Sequence, residues 1–322
     1  MFNAITDVEG IKVGHTSDYE GLTGCTVILC EDGATGGIDI RGSAAGTRQI
    51  NSLQPLHLIE EVHAVLLAGG SSFGLDASGG VMEYLENKGK GFSTSVTNIP
   101  IVPAAIIYDL SFGNYKARPN KEMGFSACKT AINKKVEEGS VGVGTGATVG
   151  KLFGLERAMK GGFGTASKKL SSGLIVGAAV AVNALGDIVN NENGEIIAGA
   201  RDSKHGHKFI NSFEQIKKGI TGKEEFLQNT TLGVVATNAI LTKMQAIKVS
   251  QMAHTGFAKT IYPIHLTSDG DLVITLSTRK LEADINTIGL LAEEAIIEAV
   301  KRAIMAADGF GIVPAYKDIA KK

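Results

Sequence analysis

The amino-acid sequence predicts an α+β fold, in which helices cover a mixed or antiparallel β-sheet. Strand-like and helix-like segments come in blocks rather than in strict alternation, which disfavours a purely parallel sheet. The chain has 322 residues and no internal repeat, so we expect a single domain over 1–322. Its 41 glycines indicate many tight turns and close approaches of the backbone.

β-Type patterns dominate the first third of the chain. Short apolar runs bounded by glycine or acidic turn residues occupy 10–16, 23–33 and 36–42. Residues 63–70 (HAVLLAGG) have the pattern of a buried strand, and residues 75–89 have helical spacing through Val81 and Leu85. These patterns predict several strands followed by one helix.

The middle of the chain predicts further strands and one helix. We expect an irregular strand at 99–110, which contains two prolines, and a helix over 121–139 that ends at Gly139. Strand patterns follow at 161–170 and 174–189. Residues 190–229 are polar and weakly periodic, as in a long functional or mobile loop.

The last third returns to regular patterns. Residues 232–239 and 271–278 have strand patterns. Thr242 starts a helix, with Gln245 in capping-box spacing, and a stripe from Val249 to Gly256 faces the core. A final long helix begins near Ile288 and stops at Gly309.

The bulk properties exclude several classes of protein. A formal net charge of −1 argues against nucleic acid or an anionic membrane as a partner. The N-terminus has no pattern of a signal peptide, and residues 174–189 are too short for a membrane span. Three cysteines without metal spacing fit a reducing cytoplasm. We therefore expect a cytoplasmic protein without cofactor or metal.

Gly70–Gly74 fits the G-x-S-x-G pattern of a hydrolase nucleophile elbow, with Ser72 at its centre. The segment stands between a strand and a helix, as an elbow requires. Against this role, the predicted sheet does not alternate β and α, and no clear Asp and His pair follows at strand ends. We therefore favour a structural turn and expect no nucleophile at Ser72.

Gly142–Lys151 (GVGTGATVGK) is similar to a phosphate-binding loop. However, Thr145 occupies the position of the first glycine, and Leu152 follows the lysine where Ser or Thr is needed. We favour a packed glycine turn that brings Lys151 to a site, with a solvated lysine as the alternative.

Asn229 and Thr230 form the third candidate site, because they join the polar segment to a buried strand. A threonine hydroxyl becomes a nucleophile when its own α-amine acts as the base, which requires cleavage of the preceding peptide bond. Asp269 and Asp271 stand before the next strand and could orient an ammonium group. From spacing alone, a hairpin turn is the better interpretation of these two aspartates.

Ordered motifs along nearly the whole chain resemble one family. They include DIRGSAAGTR, HAVLLAGGSSFGLDA, IPIVPAAIIYDL, GVGTGATVGK, VAVNALGDIV, NTTLGVVATNA and DGDLVITLST. The chain resembles the self-processing P1 family of L-aminopeptidase/D-esterases, which includes β-peptidyl aminopeptidases and 6-aminohexanoate (nylon) oligomer endo-hydrolases. The resemblance is strongest to the nylon-hydrolase branch.

The resemblance implies a four-layer α/β/β/α sandwich, of the type shared by N-terminal-nucleophile-like aminopeptidases and ornithine acetyltransferases. It implies cleavage between Asn229 and Thr230, into a large chain 1–229 and a small chain 230–322. Thr230 then matches the nucleophile. The other matching site residues are Asn183 on the oxyanion side, Tyr108, Lys151, Asp269 and Asp271.

The implied activity is hydrolysis of amide bonds in short peptides, β-peptides or ω-amino oligoamides such as nylon oligomers. An aminopeptidase restricted to small N-terminal residues is an open alternative within this class. Acyl transfer, as in ornithine acetyltransferases, and a non-catalytic protein that only shares the fold are the alternatives outside it. The resemblance also implies a homo-oligomer, a tetramer or larger.

Overall fold

The computed structural model describes residues 1–220 and 229–320. The strands are β1 (Lys12–Asp18), β2 (Thr23–Ile40), β3 (Thr47–Arg48), β4 (Glu61–Ala68), β5 (Phe92–Ser93), β6 (Asn98–Ile99), β7 (Ala104–Ile106), β8 (Thr148–Val149), β9 (Met159–Lys160), β10 (Gly162–Lys169), β11 (Ile175–Asn183), β12 (Asp187–Val189), β13 (Ile196–Ala198), β14 (Thr230–Ala239), β15 (Ile261–Tyr262) and β16 (Leu272–Leu281). The α-helices are α1 (Ala77–Asn87), α2 (Lys121–Lys129), α3 (Ser212–Lys217), α4 (Lys243–Ala258), α5 (Ile285–Met305) and α6 (Tyr316–Ile319).

One large sheet joins nine of the strands described. Its order is β10-β11-β14-β16-β2-β4-β7-β3, and β1 is also paired with β2. Neighbouring strands are antiparallel except for β14 with β16 and β4 with β7, which are parallel. The sheet is therefore mixed, as the block order of strands and helices predicts.

Strand β2 belongs to both halves of this sheet. Its first part pairs with β1 and β4, and its last part pairs with β16, with an irregular register between Leu29 and Ala34. The sheet folds over along β2, so that its two halves face each other. Ile28 and Val65 from one half share a buried apolar cluster with Val234 from the other half.

Helices cover the two outer faces. Phe257 of α4 and Val300 of α5 pack in one apolar cluster with Val235 of β14. On the opposite face, Val81 of α1 packs with Val27 of β2. Successive residues of a strand point to opposite faces, so each strand contributes to an inner and an outer cluster. The result is the predicted α/β/β/α arrangement of four layers.

The predicted start of α4 is confirmed. The Thr242 side chain accepts a hydrogen bond from the backbone N–H of Gln245, and the Gln245 side chain completes the capping box. Along the helix, Val249 and Gly256 are buried, whereas Met252 is half-buried. In the ranges described, none of the helices has both the length and the apolar character that a membrane crossing needs.

The helix predicted over 121–139 is wrong in its second half, because α2 ends at Lys129. The backbone N–H of Ile132 donates to the carbonyl of Val13 at 2.9 Å, and the N–H of Val13 donates to the Ile132 carbonyl at 2.9 Å. The edge of β1 therefore takes the hydrogen bonds that a helix would need. This partner is distant in sequence, so local spacing did not reveal it.

Other segments are divided into strands and helices differently from the sequence prediction. The runs 23–33 and 36–42 are one continuous strand, β2. The run 174–189 divides into β11 and β12. The segment predicted as one long loop contains β13 and α3, and its residues 221–228 lie outside the described part.

Gly37→Ala should destabilise the protein more than the neighbouring change Gly36→Ala. A Cβ at Gly37 would lie 2.4 Å from the backbone nitrogen of Ile247 in α4, whereas a Cβ at Gly36 would lie 2.4 Å from the terminal methyl of Leu53, which can turn away. Overpacking costs about 1–3 kcal/mol, and we expect Gly37→Ala at the upper end and Gly36→Ala at the lower end. Urea midpoints at unchanged m measure the difference, and equal midpoints would contradict the close packing of α4.

Candidate active site

Thr230 and Asn183 face each other across two neighbouring strands. Thr230 is the first residue of β14, Asn183 is the last residue of β11, and the two are direct partners in the antiparallel register. Both are buried, with 3% of Thr230 and none of Asn183 exposed. Side chains of directly opposite residues are neighbours on the same face of a sheet. The fold thus brings two predicted site residues together from positions far apart in the sequence.

The side-chain amide of Asn183 joins three segments of the chain. Its Oδ1 accepts hydrogen bonds from the backbone N–H of Thr148 at 3.1 Å and from Nζ of Lys151 at 2.9 Å. Its Nδ2 donates to the backbone carbonyl of Tyr108 at 3.1 Å. Since the amide oxygen and nitrogen differ in hydrogen bonding, these contacts orient the group.

Lys151 reaches Asn183 because the glycine-rich turn docks beside the end of β11. The backbone N–H groups of Gly150 and Lys151 donate to the carbonyls of Gly186 and Leu185, both at 3.0 Å. Gly150 has φ +68°, and a Cβ there would lie 2.1 Å from the backbone of Gly199. Only glycine fits this conformation and this approach. The same contacts interrupt the strand predicted over 174–189.

Burial controls the charge of Lys151. The side chain is 4% exposed, and its Nζ also donates to the backbone carbonyl of Asn183 at 3.0 Å. Burial lowers the pKa of Lys151 to about 7, although the charges of Asp269, Asp109 and Asp271 act in the opposite direction. The ammonium therefore titrates near neutral pH.

The two aspartates before β16 have different surroundings. Asp271 Oδ1 accepts from the backbone N–H of Thr231 at 2.7 Å, and its Oδ2 accepts from the backbone N–H of His265 and lies 3.1 Å from Nδ1 of that imidazole. Asp269 Oδ2 accepts from the backbone N–H of Leu266 at 2.8 Å. Within the ranges described, Oδ1 of Asp269 is buried without a hydrogen-bond partner.

These surroundings also raise the proton affinity of Asp269. Burial raises the pKa of Asp269, and the neighbouring charge of Asp271 raises it further. Asp271 has both oxygens engaged and ties the strand of Thr230 to the turn at His265. Among the described residues, Asp269 thus keeps one carboxylate oxygen without a hydrogen-bond partner, whereas Asp271 is an anchor.

The peptide bond between Asn229 and Thr230 lies inside this cluster. Asn229 pairs with Asp269 in a short parallel bridge, and the backbone N–H of Gly270 donates to the carbonyl of Asn229 at 2.7 Å. The hydroxyl of Thr230 is close to the same glycine, because a Cβ on Gly270 would be 2.7 Å from Oγ1 of Thr230. One carbonyl, one hydroxyl and one N–H donor therefore meet at Gly270.

A small recess opens at this cluster and has room for about one water molecule. Its lining residues are Tyr108, Asp109, Ser111, Phe112, Thr148, Lys151 and Asn229. Tyr108 is half-buried there. Larger cavities of about 350 and 450 Å³ are lined by other residues, so size alone does not find this site. With Asn229 in place, the recess is too small for a peptide.

The other two sequence candidates occupy different surroundings. Ser72 is exposed in the turn between β4 and α1, as the motif predicts, and its hydroxyl lies 3.8 Å from where a Cβ on Gly46 would be. The segment from Ser140 to Lys151 is buried throughout. This burial supports the interpretation of a packed turn that delivers Lys151.

Several residues at the site were absent from the sequence hypotheses. They are Asp109, Thr148, Gly270 and His265. Thr148 and Gly270 act through backbone N–H groups, which carry no side-chain signal. Asp109 lies near the end of the apolar run at 99–110, and a carboxylate in that position was the available clue.

Comparisons with known proteins identify the family. A model described as peptidase family S58 matches residues 3–312. The chain belongs to this family. An uncharacterized aminopeptidase of Mycobacterium leprae is 37% identical, over 98% of this chain and 93% of its own length. A 6-aminohexanoate-oligomer endohydrolase of Paenarthrobacter ureafaciens is 28% identical, over 92% of this chain and 84% of its own.

The structure of a β-aminopeptidase of Burkholderia sp. matches this S58 chain with a TM-score of 0.73 and 20% sequence identity, over 100% of this chain and 93% of its own. The two therefore share a fold, and the predicted fold class is confirmed. With the family and the relatives, this S58 protein is a hydrolase of amide bonds. The resemblance in the sequence motifs is confirmed at the level of the family.

Ser72→Ala should leave most of the activity of this S58 peptidase intact. The serine is exposed, and the residues clustered around Asn183 and Thr230 do not include it. We expect kcat/KM within about threefold of wild type, which is a small loss on a transition-state scale. Complete loss of turnover in a folded Ser72→Ala protein would restore the elbow serine as the nucleophile.

Asp271→Asn should destabilise the protein, whereas Asp269→Asn should not. An asparagine at 271 would turn an amide NH₂ toward a backbone N–H donor, at a cost of about 1–3 kcal/mol. Because burial raises the pKa of Asp269, its native form loses stability as pH rises through that pKa, and Asp269→Asn removes this loss. Urea unfolding of both variants at pH 6 and pH 8 measures the contrast.

Both aspartate variants should also slow amide hydrolysis, since each changes the charge beside Thr230. If both variants hydrolyse substrate and unfold like wild type, residues 269–271 form an ordinary hairpin turn without a role in the site.

Proposed function

We propose that this protein is a self-processing amide hydrolase whose nucleophile is the hydroxyl of Thr230. Cleavage of the Asn229–Thr230 bond would release Thr230 as the N-terminus of a chain 230–322, leaving a chain 1–229. The observation that carries this proposal is the hydrogen bond of 2.7 Å from the Gly270 N–H to the Asn229 carbonyl, beside the Thr230 hydroxyl. A polarised carbonyl and a hydroxyl are thus neighbours in space and in the chain.

The first reaction is attack of the Thr230 hydroxyl oxygen on the carbonyl carbon of Asn229. Negative charge develops on the carbonyl oxygen, which the Gly270 N–H stabilises. The C–N bond breaks, the nitrogen of Thr230 takes a proton and becomes an amine, and an ester remains. Water then hydrolyses the ester, which restores the hydroxyl and leaves a carboxylate on Asn229.

Asp269 is the proposed proton acceptor in this first step. The nitrogen of Thr230 is an amide before cleavage and is not basic, so another group must take the hydroxyl proton. The backbone of Asp269 pairs with Asn229, and within the described residues its Oδ1 has no other partner. Its raised pKa allows it to hold a proton near neutral pH.

After cleavage, the free amine of Thr230 becomes the general base, since an α-amine has a pKa of about 7.7–8.0. The acyl carbonyl of a substrate takes the place of the Asn229 carbonyl against the Gly270 N–H. Asn183 presents its side-chain amide from the neighbouring strand β11. Lys151 and the two aspartates determine the charge around the Thr230 amine. Tyr108 lines the recess that would become larger once Asn229 moves away after cleavage.

The names of the relatives support two substrate classes. The aminopeptidase relative supports release of N-terminal residues from peptides, and the endohydrolase relative supports internal cleavage of ω-amino oligoamides. Incubation of purified protein with short α-peptides, β-peptides and 6-aminohexanoate oligomers separates them. Release of terminal residues alone supports the aminopeptidase, and internal fragments support the endohydrolase. A homo-oligomer is part of this proposal, and sizing of the same sample measures it.

Wild-type protein should break at Asn229–Thr230 without any added protease. The small chain should begin with TTLGVVATNA, and the intact chain should be nearly inactive, because Thr230 lacks its base until its amine is free. Thr230→Ala should abolish processing and hydrolysis together, and Thr230→Ser should retain part of both. Intact mass and N-terminal sequencing identify the products.

Thr231→Ala is the matched control, since it removes the neighbouring hydroxyl and keeps the backbone N–H that binds Asp271. It should process and turn over far better than Thr230→Ala. An active preparation that is fully uncleaved, or a small chain that starts at any other residue, would overturn the proposed mechanism.

A further inference from the structure

Lys160 is a buried lysine that none of the proposed chemical steps uses. No part of its side chain is exposed, and its Nζ donates hydrogen bonds to three backbone carbonyls, those of Gly144 at 2.7 Å, Ala147 at 2.8 Å and Gly161 at 3.1 Å. Two of these carbonyls belong to the glycine-rich turn. The lysine therefore holds that turn from one side.

Asp109 also lies against this turn. A Cβ on Gly146 would lie 2.3 Å from Oδ2 of Asp109, so the carboxylate touches the turn between the two carbonyls that Lys160 binds. Its own position is fixed by the hydroxyl of Thr23 at 2.7 Å and the backbone N–H of Gly70 at 2.6 Å. A negative group and a positive group thus contact the same short backbone segment, residues 144–147.

The enclosed segment carries the groups that hold Asn183. Thr148 directly follows residues 144–147 and is the register partner of Lys160 in the pair β8 and β9. The N–H of Thr148 and the Nζ of Lys151 are the two donors to Asn183 Oδ1. A shift of residues 144–147 would therefore move both donors relative to Asn183.

Burial of these two charges has an energetic cost that apolar side chains would avoid. It lowers the pKa of Lys160 to about 7 and raises the pKa of Asp109 to about 6, while each charge partly offsets the effect on the other. The charge of Asp308 also raises the pKa of Lys160, and the charge of Asp109 also raises the pKa of Lys151. A methionine at 160 would fill a similar volume, so the lysine is explained by what its ammonium binds.

We propose that Lys160 and Asp109 are positioning residues that clamp residues 144–147 between them and so hold Thr148 and Lys151 on Asn183. This inference rests on the proposed function, because it assigns the clamp to the site at Thr230. Neither residue is assigned to contact the substrate or the reacting atoms.

The variants that test the clamp are Lys160→Met, Asp109→Asn and the double variant. Each single variant should lower the rate of self-processing and kcat by about 10- to 100-fold, the range expected for misplaced catalytic groups, with KM within about twofold. Removing one charge leaves the other unpaired, so each single variant should also lower Tm. The double variant should recover most of the Tm and little of the kcat.

Lys243→Met is the matched control, because Lys243 is also a buried lysine bound to backbone carbonyls. Those carbonyls belong to Ser52, Gln54, His57 and Ile59, in another loop. We expect a similar loss of Tm and kcat within about threefold of wild type. A double variant that recovers both Tm and kcat, or a Lys160→Met loss of kcat no larger than that of Lys243→Met, would reduce Lys160 to a structural role and overturn the clamp.

Gly146→Ala tests the same contact without removing a charge, and it serves if Lys160→Met fails to fold. Its Cβ would displace the Asp109 carboxylate, and kcat should again fall by about 10-fold or more. Normal processing and normal kcat in folded Gly146→Ala would contradict the clamp.

A last measurement separates the clamp from the proposed function. In uncleavable Thr230→Ala protein with ¹³C-labelled lysine, the Lys151 Cε resonance, assigned through Lys151→Met, should titrate at a different pH once Lys160→Met or Gly146→Ala is added. An unchanged titration would overturn the clamp, whatever the enzyme does. Wild-type protein that never cleaves would overturn the proposed function while this titration still decides the clamp.

Discussion

The hydrogen bonds of the Asn183 amide are the constraint on which the arrangement of the site depends. A single buried side chain at the end of β11 binds Thr148 and Lys151 of the glycine-rich turn and the carbonyl of Tyr108 in another segment. A buried amide without partners would cost about 1–3 kcal/mol, so the three segments are held to one geometry. Because Asn183 ends β11 opposite Thr230, the same geometry is fixed relative to the start of β14.

The second constraint is electrostatic. Lys151, Lys160, Asp109, Asp269 and Asp271 are all nearly fully buried and lie in one part of the fold. Burial moves the pKa values of Lys151 and Lys160 down to about 7 and that of Asp109 up to about 6. Shifts in these opposite directions bring the pKa values of all three groups close to neutral pH. Groups with such pKa values are suited to proton transfer at neutral pH.

In the proposed mechanism, one site would serve two reactions in sequence. Asn229 lines the recess, which has room for about one water molecule, so the continuous chain has its own peptide bond where the proposed substrate would bind. The Gly270 N–H that binds the Asn229 carbonyl belongs to the turn between Asp269 and Asp271. In the proposed mechanism, removal of Asn229 vacates this donor for the next carbonyl, without any rearrangement of the sheet.

The sequence by itself determined the α+β class and most of the strands. Their alternating and apolar runs depend on local spacing, as does the cap of α4 at Thr242. Motif resemblance supplied the family and the residues to consider. Sequence did not reveal that residues 130–138 leave the helical path, because β1 provides the competing hydrogen bonds from far away in the chain.

Only the tertiary structure decided which chemistry-bearing residues meet. Ser72 and Thr230 both had plausible local patterns, and the fold puts Asn183, Lys151 and the two aspartates around Thr230, whereas Ser72 is exposed in a turn. It also assigned different surroundings to Asp269 and Asp271, which look equivalent in sequence, and it brought Lys160 and Asp109 against one turn. Hydrogen-bond partners and burial set these differences, and both depend on contacts between distant segments that no local pattern encodes.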